Sequence, residues 1–155
     1  MNKGIAHAKG QYLNFMNSGD CFNNENSLFY FGEYFDSTVD VFYGDADFFN
    51  YDGKLFFSMI LPDNIDSSFY LLGKNISHQS SFIKAMLFKS HPYDESYKLA
   101  ADGDMFFWLL INGYRFKHIA KVLVRSDIPG LSSDVNLANS EVARFLKENI
   151  QKLPF

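Results

Sequence analysis

Two short apolar runs in this chain break off into acidic, turn-forming loops. Tyr12-Leu13-Asn14-Phe15-Met16 ends in Asn17-Ser18-Gly19-Asp20, and Val39-Asp40-Val41-Phe42-Tyr43 ends in Gly44-Asp45-Ala46-Asp47. Apolar runs of this length, rich in aromatic and β-branched residues, read as short strands. Loops that follow strands lie at the carboxyl edge of a sheet, where open α/β folds place their ligands. The pattern predicts an α/β chain whose sheet edge carries carboxylates.

The rest of the chain fills in that outline. Residues 1–9 fit one or two helical turns, with Gly10 as a stop. Asn24 to Phe31 reads as a short helix. Phe48 to Met59 reads as a β-hairpin about Asp52-Gly53, a strong two-residue turn signal. Ser77 to Phe88 carries helical spacing, with Phe82, Ala85 and Met86 on one side. His91-Pro92-Tyr93-Asp94 is a loop, because the residue before proline avoids the helical region. Asp102 to Asn112 reads as a helix stopped by Gly113, and Phe116 to Val124 as a strand. Asp127 to Ser133 is a loop whose end, Ser133 or Asp134, caps a last helix over Asn136 to Lys152. That helix sets Val142, Phe145, Leu146 and Ile150 at apolar spacing, with Lys147, Glu148 and Lys152 on the wet side. No repeat, linker or second domain is visible, so 1–155 reads as a single α/β domain, a mixed sheet flanked by helices.

Composition narrows the function. With 155 residues, 47% of them hydrophobic, the chain is long enough to bury a core. Fourteen basic residues against 18 acidic ones give a net charge of −4. That argues against a nucleic-acid binder working by phosphate neutralisation, though a single phosphorylated ligand needs only a local pocket. One cysteine, Cys21, excludes a disulfide framework and a thiolate zinc site within the chain. Residues 1–20 lack the apolar core of a signal peptide, and no apolar run approaches membrane-spanning length. A cytoplasmic protein is expected. The 18 Phe and 9 Tyr leave peripheral contact with the inner face of a membrane, and self-association, open.

Asp20, Asp45, Asp47, Asp102 and Asp104 all fall at or beside element ends, where carboxylates can hold a hard divalent ion or simply cap turns and helices. His78-Gln79 opens a segment of its own, and a neutral His there can donate to an oxyanion, ligate metal or cap. No Ser–His–Asp spacing, phosphate-binding P-loop or GxGxxG motif occurs.

These residues, taken in order, resemble the inverting glycosyltransferases of family 2, GT-A fold enzymes of bacterial polysaccharide synthesis, in the branch that includes colanic-acid-type transferases. The resemblance is carried by Asn2-Lys3-Gly4-Ile5, Ala8, Gly10, Tyr12, Phe15 and Asn17-Ser18-Gly19-Asp20. It continues through Tyr43-Gly44-Asp45, His78-Gln79-Ser80, Pro92-Tyr93-Asp94-Glu95, Tyr97, Ala100-Ala101-Asp102-Gly103-Asp104 and Gly130-Leu131-Ser132. The Gln-x-x-Arg-Trp motif of processive synthases is absent.

The resemblance implies roles residue by residue. Asn17-Ser18-Gly19-Asp20 matches the family's metal-binding aspartate motif, with Asn17 and Gly19 where aspartates usually stand. Asp20 is then the metal ligand, and Asn17, Ser18 and Gly19 face the diphosphate of the donor. His78 and Gln79 match positions on the acceptor or diphosphate side. Asp102 matches the aspartate taken as general base, preceded here by Ala101 rather than the usual glutamate. The expected cofactor is a divalent metal, Mn²⁺ or Mg²⁺. The expected partners are a UDP- or GDP-linked sugar and a glycan or lipid-linked acceptor. Family members carry further strands and helices before this point, which hold the nucleotide base, so the chain corresponds to the acceptor-side portion of a transferase. The alternative is a non-catalytic carbohydrate- or partner-binding remnant.

Overall fold

The structure, a computed structural model, describes residues 1–127 and 134–152. Of the loop expected over Asp127 to Ser133, Asp127 instead ends the last strand of the sheet, and 128–133, with Gly130-Leu131-Ser132 and the Ser133 cap, lie outside the described residues. Helices α1 (Asn2–His7), α2 (Ser27–Tyr34), α3 (Ser67–Leu71), α4 (Ala85–Ser90), α5 (Ala101–Ile111) and α6 (Val135–Asn149) surround a sheet. Its strands are β1 (Tyr12–Leu13), β2 (Cys21–Phe22), β3 (Val41–Phe49), β4 (Leu55–Met59), β5 (Ser81–Lys84) and β6 (Phe116–Asp127). A 3₁₀ turn, Ile150–Lys152, follows α6.

The sheet runs β1-β5-β3-β6-β2, with β4 added to β3. Strand β3 is its axis. The first half of β3 pairs antiparallel with β5, the second half pairs antiparallel with β4, and β6 runs parallel along its whole length. The sheet is therefore mixed, as the element order predicts.

Period-two alternation assigns its faces. Leu13, Val41, Tyr43 and Ile83 join the larger core with side chains of α1, α3, α4, α5 and α6. Tyr12, Phe42 and Phe82 join a smaller core closed by Tyr30, Phe31 and Tyr34 of α2. Edge-to-face rings tie that second layer: Phe31 meets Tyr12 at 5.7 Å and Phe42 at 5.2 Å, and it stacks on Phe82 at 4.4 Å.

The parallel pair β3–β6 is irregular. Gly44 pairs with Ile119, but Asp45 pairs with Val122 and Ala46 with Val124, so β6 carries three surplus residues across this step. Leu123 and Val124, neighbours in sequence, both enter the smaller core as a result. The surplus also lays Leu123 against the backbone of Gly44, where an added Cβ would meet its Cδ1 at 2.4 Å.

The hairpin forms where expected, Asn50 accepting from Lys54 and Asp52 amides at its turn and Gly53 adopting φ +70°. The helix expected over Ser77 to Phe88 does not. Ser77 to Ser80 form a turn, Ser81 to Lys84 a strand, and only Ala85 to Ser90 a helix. Two hydroxyls decide it. Ser80 Oγ donates to the carbonyls of Ser77 and Gly44, and Ser81 Oγ donates to that of Ser77. Such side-chain bonds offer the backbone an alternative to helix. Two strands, β1 and β3, then pair with the segment on either side. Met86, placed on the apolar side by helical spacing, is 67% exposed. The short β2 and α3 carry no clear periodicity and emerge only from the packing.

Candidate functional site

The chain leaves β1 through Asn14, Phe15 and Met16 into a turn in which the Asp20 amide donates to the Asn17 carbonyl. Gly19 has φ +97°, a conformation that side chains rarely adopt. The turn brings the Asp20 carboxylate back toward the sheet. Its Oδ2 accepts from Gln79 Nε2 at 2.8 Å, and its Oδ1 accepts from Ser126 Oγ of β6 at 2.5 Å. Gln79 is held in turn. Ser77 Oγ donates to its Oε1 at 2.8 Å, and Asn14 Nδ2 donates to its carbonyl at 2.6 Å and to that of Ser81 at 2.8 Å.

Helix α5 supplies the second carboxylate. Three consecutive amides ahead of it, those of Lys98, Leu99 and Ala100, donate to the buried Glu141 of α6, each at 2.9 Å. Burial pushes the Glu141 carboxyl up, but the three amides and Arg144 outweigh it, and the group sits below the usual glutamate range. Asp102 lies in the first turn that follows. It is not the N-cap, a position that Ala100 holds without a side-chain bond. Asp102 Oδ1 accepts from the Gly103 amide at 2.9 Å, and its Oδ2 lies 3.0 Å from His78 Nδ1. His78 Nε2 lies 3.2 Å from Asn17 Nδ2. The His78 and Asp102 side chains are 13% and 15% exposed.

Five of the residues singled out from sequence, Asn17, Asp20, His78, Gln79 and Asp102, therefore meet in one network at the end of β1. Ser18 and Gly19 are exposed on the turn itself. Around Asp102 stand two buried phenols. Burial, then the Asp102 charge, holds the Tyr70 and Tyr93 hydroxyls well above the usual tyrosine value, with the Ile76 backbone opposing this at Tyr70. Neither buried hydroxyl has a hydrogen-bond partner among the described residues.

The other acidic candidates lie elsewhere. Asp45 is buried in β3, where its Oδ1 accepts from the Leu61 amide at 2.9 Å and lies 3.0 Å from His118 Nε2. His118 Nδ1 lies 2.9 Å from Asp63. Asp47 accepts from Ser58 Oγ across the hairpin. Asp104 lies 4.0 Å from His91 on the next part of α5. Among the described residues, no group of three or more His, Cys, Asp or Glu side chains gathers as a metal site. Asp20 fits a metal only as a single protein carboxylate. Each of its oxygens accepts one hydrogen bond and keeps further lone pairs, and Mg²⁺-type ions take their remaining oxygens from substrate phosphates and water.

Asn14, Ser126 and Glu141 escape the sequence reading. Asn14 had a visible signal, a lone amide inside an apolar run. Glu141 had another: it shares the i, i+4 stripe of Phe145 and Asn149, all three buried. Ser126 had none, since its partner Asp20 is 106 residues away.

No protein-family model matches the chain, and no curated protein matches it. Solved structures do match. S. aureus TarS superposes with a TM-score of 0.62 at 16% identity, over 99% of this chain and 27% of TarS. TarS 1-349 in complex with UDP gives 0.64 at 15% identity, and its complex with UDP-GlcNAc gives 0.65 at 14%, each with 45% of the neighbour covered. The chain thus spans less than half the length of these neighbours. Identities this low speak to fold alone, and the fold is the partial GT-A fold expected from the sequence, a mixed sheet flanked by helices.

Proposed function

We propose that this chain is the acceptor-side portion of an inverting glycosyltransferase of family 2. It would move a sugar from a UDP- or GDP-linked donor to a hydroxyl of a glycan or lipid-linked acceptor, in polysaccharide synthesis, in the cytoplasm or at the inner membrane face. The observation that carries the reading is the meeting of Asp102 and Asp20 through the adjacent residues His78 and Gln79, within a fold whose solved neighbours hold UDP and UDP-GlcNAc. Among the described residues, no helix is long and apolar enough to cross a membrane.

The division of labour follows from the network. Asp102 takes the proton of the acceptor hydroxyl as that oxygen attacks the anomeric carbon, one displacement that inverts the centre. Asn17, Ser18 and Gly19 form the polar turn that faces the donor diphosphate, and Gln79 and Ser126 hold Asp20 toward it. A divalent ion on Asp20 would add positive charge at the departing diphosphate. A second reading, a carbohydrate- or partner-binding module without turnover, draws on the fact that Asp20 is the only carboxylate of its loop.

Isothermal titration of the chain with UDP-GlcNAc and Mn²⁺, paired with a turnover assay, tests both. Binding tighter than about 1 mM, weakened about 10-fold or more by Asp20→Ala, supports the donor site. Turnover that Asp102→Asn abolishes while binding stays intact supports the transferase. Binding without turnover favours the second reading, and no binding of UDP-GlcNAc or of a GDP-linked sugar titrated in the same way overturns the donor site.

A further inference from the structure

We propose that His78 is a positioning residue for Asp102, with Asn17 locking the ring in the tautomer that does so. The assignment of a role to Asp102 rests on the transferase reading, but the tautomer rests on the geometry alone. An ionised carboxylate only accepts hydrogen bonds, so the ring nitrogen 3.0 Å from Asp102 Oδ2 must carry the hydrogen. On the other side of the ring, the atom 3.2 Å from Nε2 is the amide nitrogen of Asn17, which only donates. Both contacts are satisfied together by one form, a neutral imidazole protonated at Nδ1 with a lone pair at Nε2. Which nitrogen carries the proton is set by the bonds the two nitrogens make, and both of those bonds are present here.

The ring is well fixed for this task. Its own carbonyl accepts from the Ser81 amide, and its chain neighbours Ser77 and Gln79 are tied to each other and, through Gln79, to Asp20. With Oδ2 committed to His78, Asp102 Oδ1 accepts only the Gly103 amide and keeps lone pairs for an acceptor hydroxyl. The side chain that reads the ring from outside, Asn17, belongs to the turn that carries Asp20. The donor-facing turn and the carboxylate are therefore joined through one imidazole.

Nitrogen-15 NMR of the labelled chain tests the tautomer directly, with the His78 signals assigned by their loss in His78→Asn. The expected spectrum shows His78 protonated at Nδ1 and unprotonated at Nε2 near neutral pH. Asn17 still donates to Nε2 when Asp102 is removed, so Asp102→Ala alone should keep this form, and Asp102→Ala combined with Asn17→Ala should move the ring toward the Nε2–H form. An Nε2–H or doubly protonated ring in the wild type, or a tautomer indifferent to the combined change, overturns the proposal. Kinetics supply the second arm. Asn places an amide donor where Nδ1 stands, so His78→Asn should keep most of kcat, whereas His78→Leu should lose about 100-fold, with KM for the nucleotide-sugar unchanged in both. Equal losses in the two variants, or a raised KM with kcat kept, overturn it. Absence of turnover in the wild type counts against the transferase reading, and the NMR result alone then decides this one.

Discussion

At the scale of single residues, Gly44 shows how little freedom the centre of the sheet has. It lies beside two fully buried side chains, Tyr43 and Leu123, and its missing Cβ is the space Leu123 uses. Its need for glycine is steric, since its φ is not among the positive ones. Gly44→Ala should cost roughly 1–3 kcal/mol, the usual penalty for overpacking a filled core. Urea denaturation measures it. Adding Leu123→Ala should recover part of that loss, so the double variant is more stable than the sum of the two changes. The sequence showed a glycine after Tyr43 and suggested a turn. The strand in fact runs on for five residues beyond it, because the partner strand β6 bends to admit it. Asn17, Asp20, His78, Gln79 and Asp102 stood out as polar groups at element ends, yet nothing in the 24-residue gap between His78 and Asp102 tells which ring nitrogen meets which oxygen.

Among the elements, the clearest dependence is that of α5 on α6. Glu141 gathers three consecutive amides of the segment that leads into α5. Its carboxyl sits below the usual range in the folded chain, so the unfolded chain binds the proton more tightly and stability rises with pH. That contribution is complete above the ordinary glutamate value and drains away as pH falls through the lower, folded one. Thermal unfolding from pH 7 down to pH 3 should therefore show wild type losing its advantage over Glu141→Gln, a difference of roughly 2–4 kcal/mol at neutral pH. Equal acid slopes for the two proteins would contradict the assignment. Elements whose signal is local were legible: the Asp52-Gly53 hairpin, α5 with its Gly113 stop, and α6 with its Asp134 cap, which accepts from the Leu137 amide. Strand β5 was not, because Phe82, Ala85 and Met86 mimic a helical face and the pairing that overrides it comes from residues 40 and 70 positions away.

For the molecule as a whole, one aromatic cluster holds the helical layer together. Phe145 of α6 is fully buried and meets Tyr70 of α3 at 6.4 Å, Phe107 of α5 at 5.7 Å and Tyr97 at 6.4 Å. Phe145→Ala should cost about 3–5 kcal/mol. Unfolding followed by tyrosine fluorescence and by far-ultraviolet circular dichroism should remain coincident, since the three helices share this contact. The sheet order was harder to anticipate than its class. Alternating runs and helical spacing yield a mixed α/β layer, but the parallel pairing of β3 with β6, from Val41 with Phe116 to Phe49 with Asp127 and across three surplus positions, is a long-range fact. That surplus has an arithmetic of its own. Ile119 and Val124 both face the smaller core although five positions separate them, because three of the intervening residues are surplus to the pairing. Strand side chains otherwise change face at every residue, so removing all three would leave a regular two-residue step that keeps the outer part of β6, Ser126 included, facing as it does now.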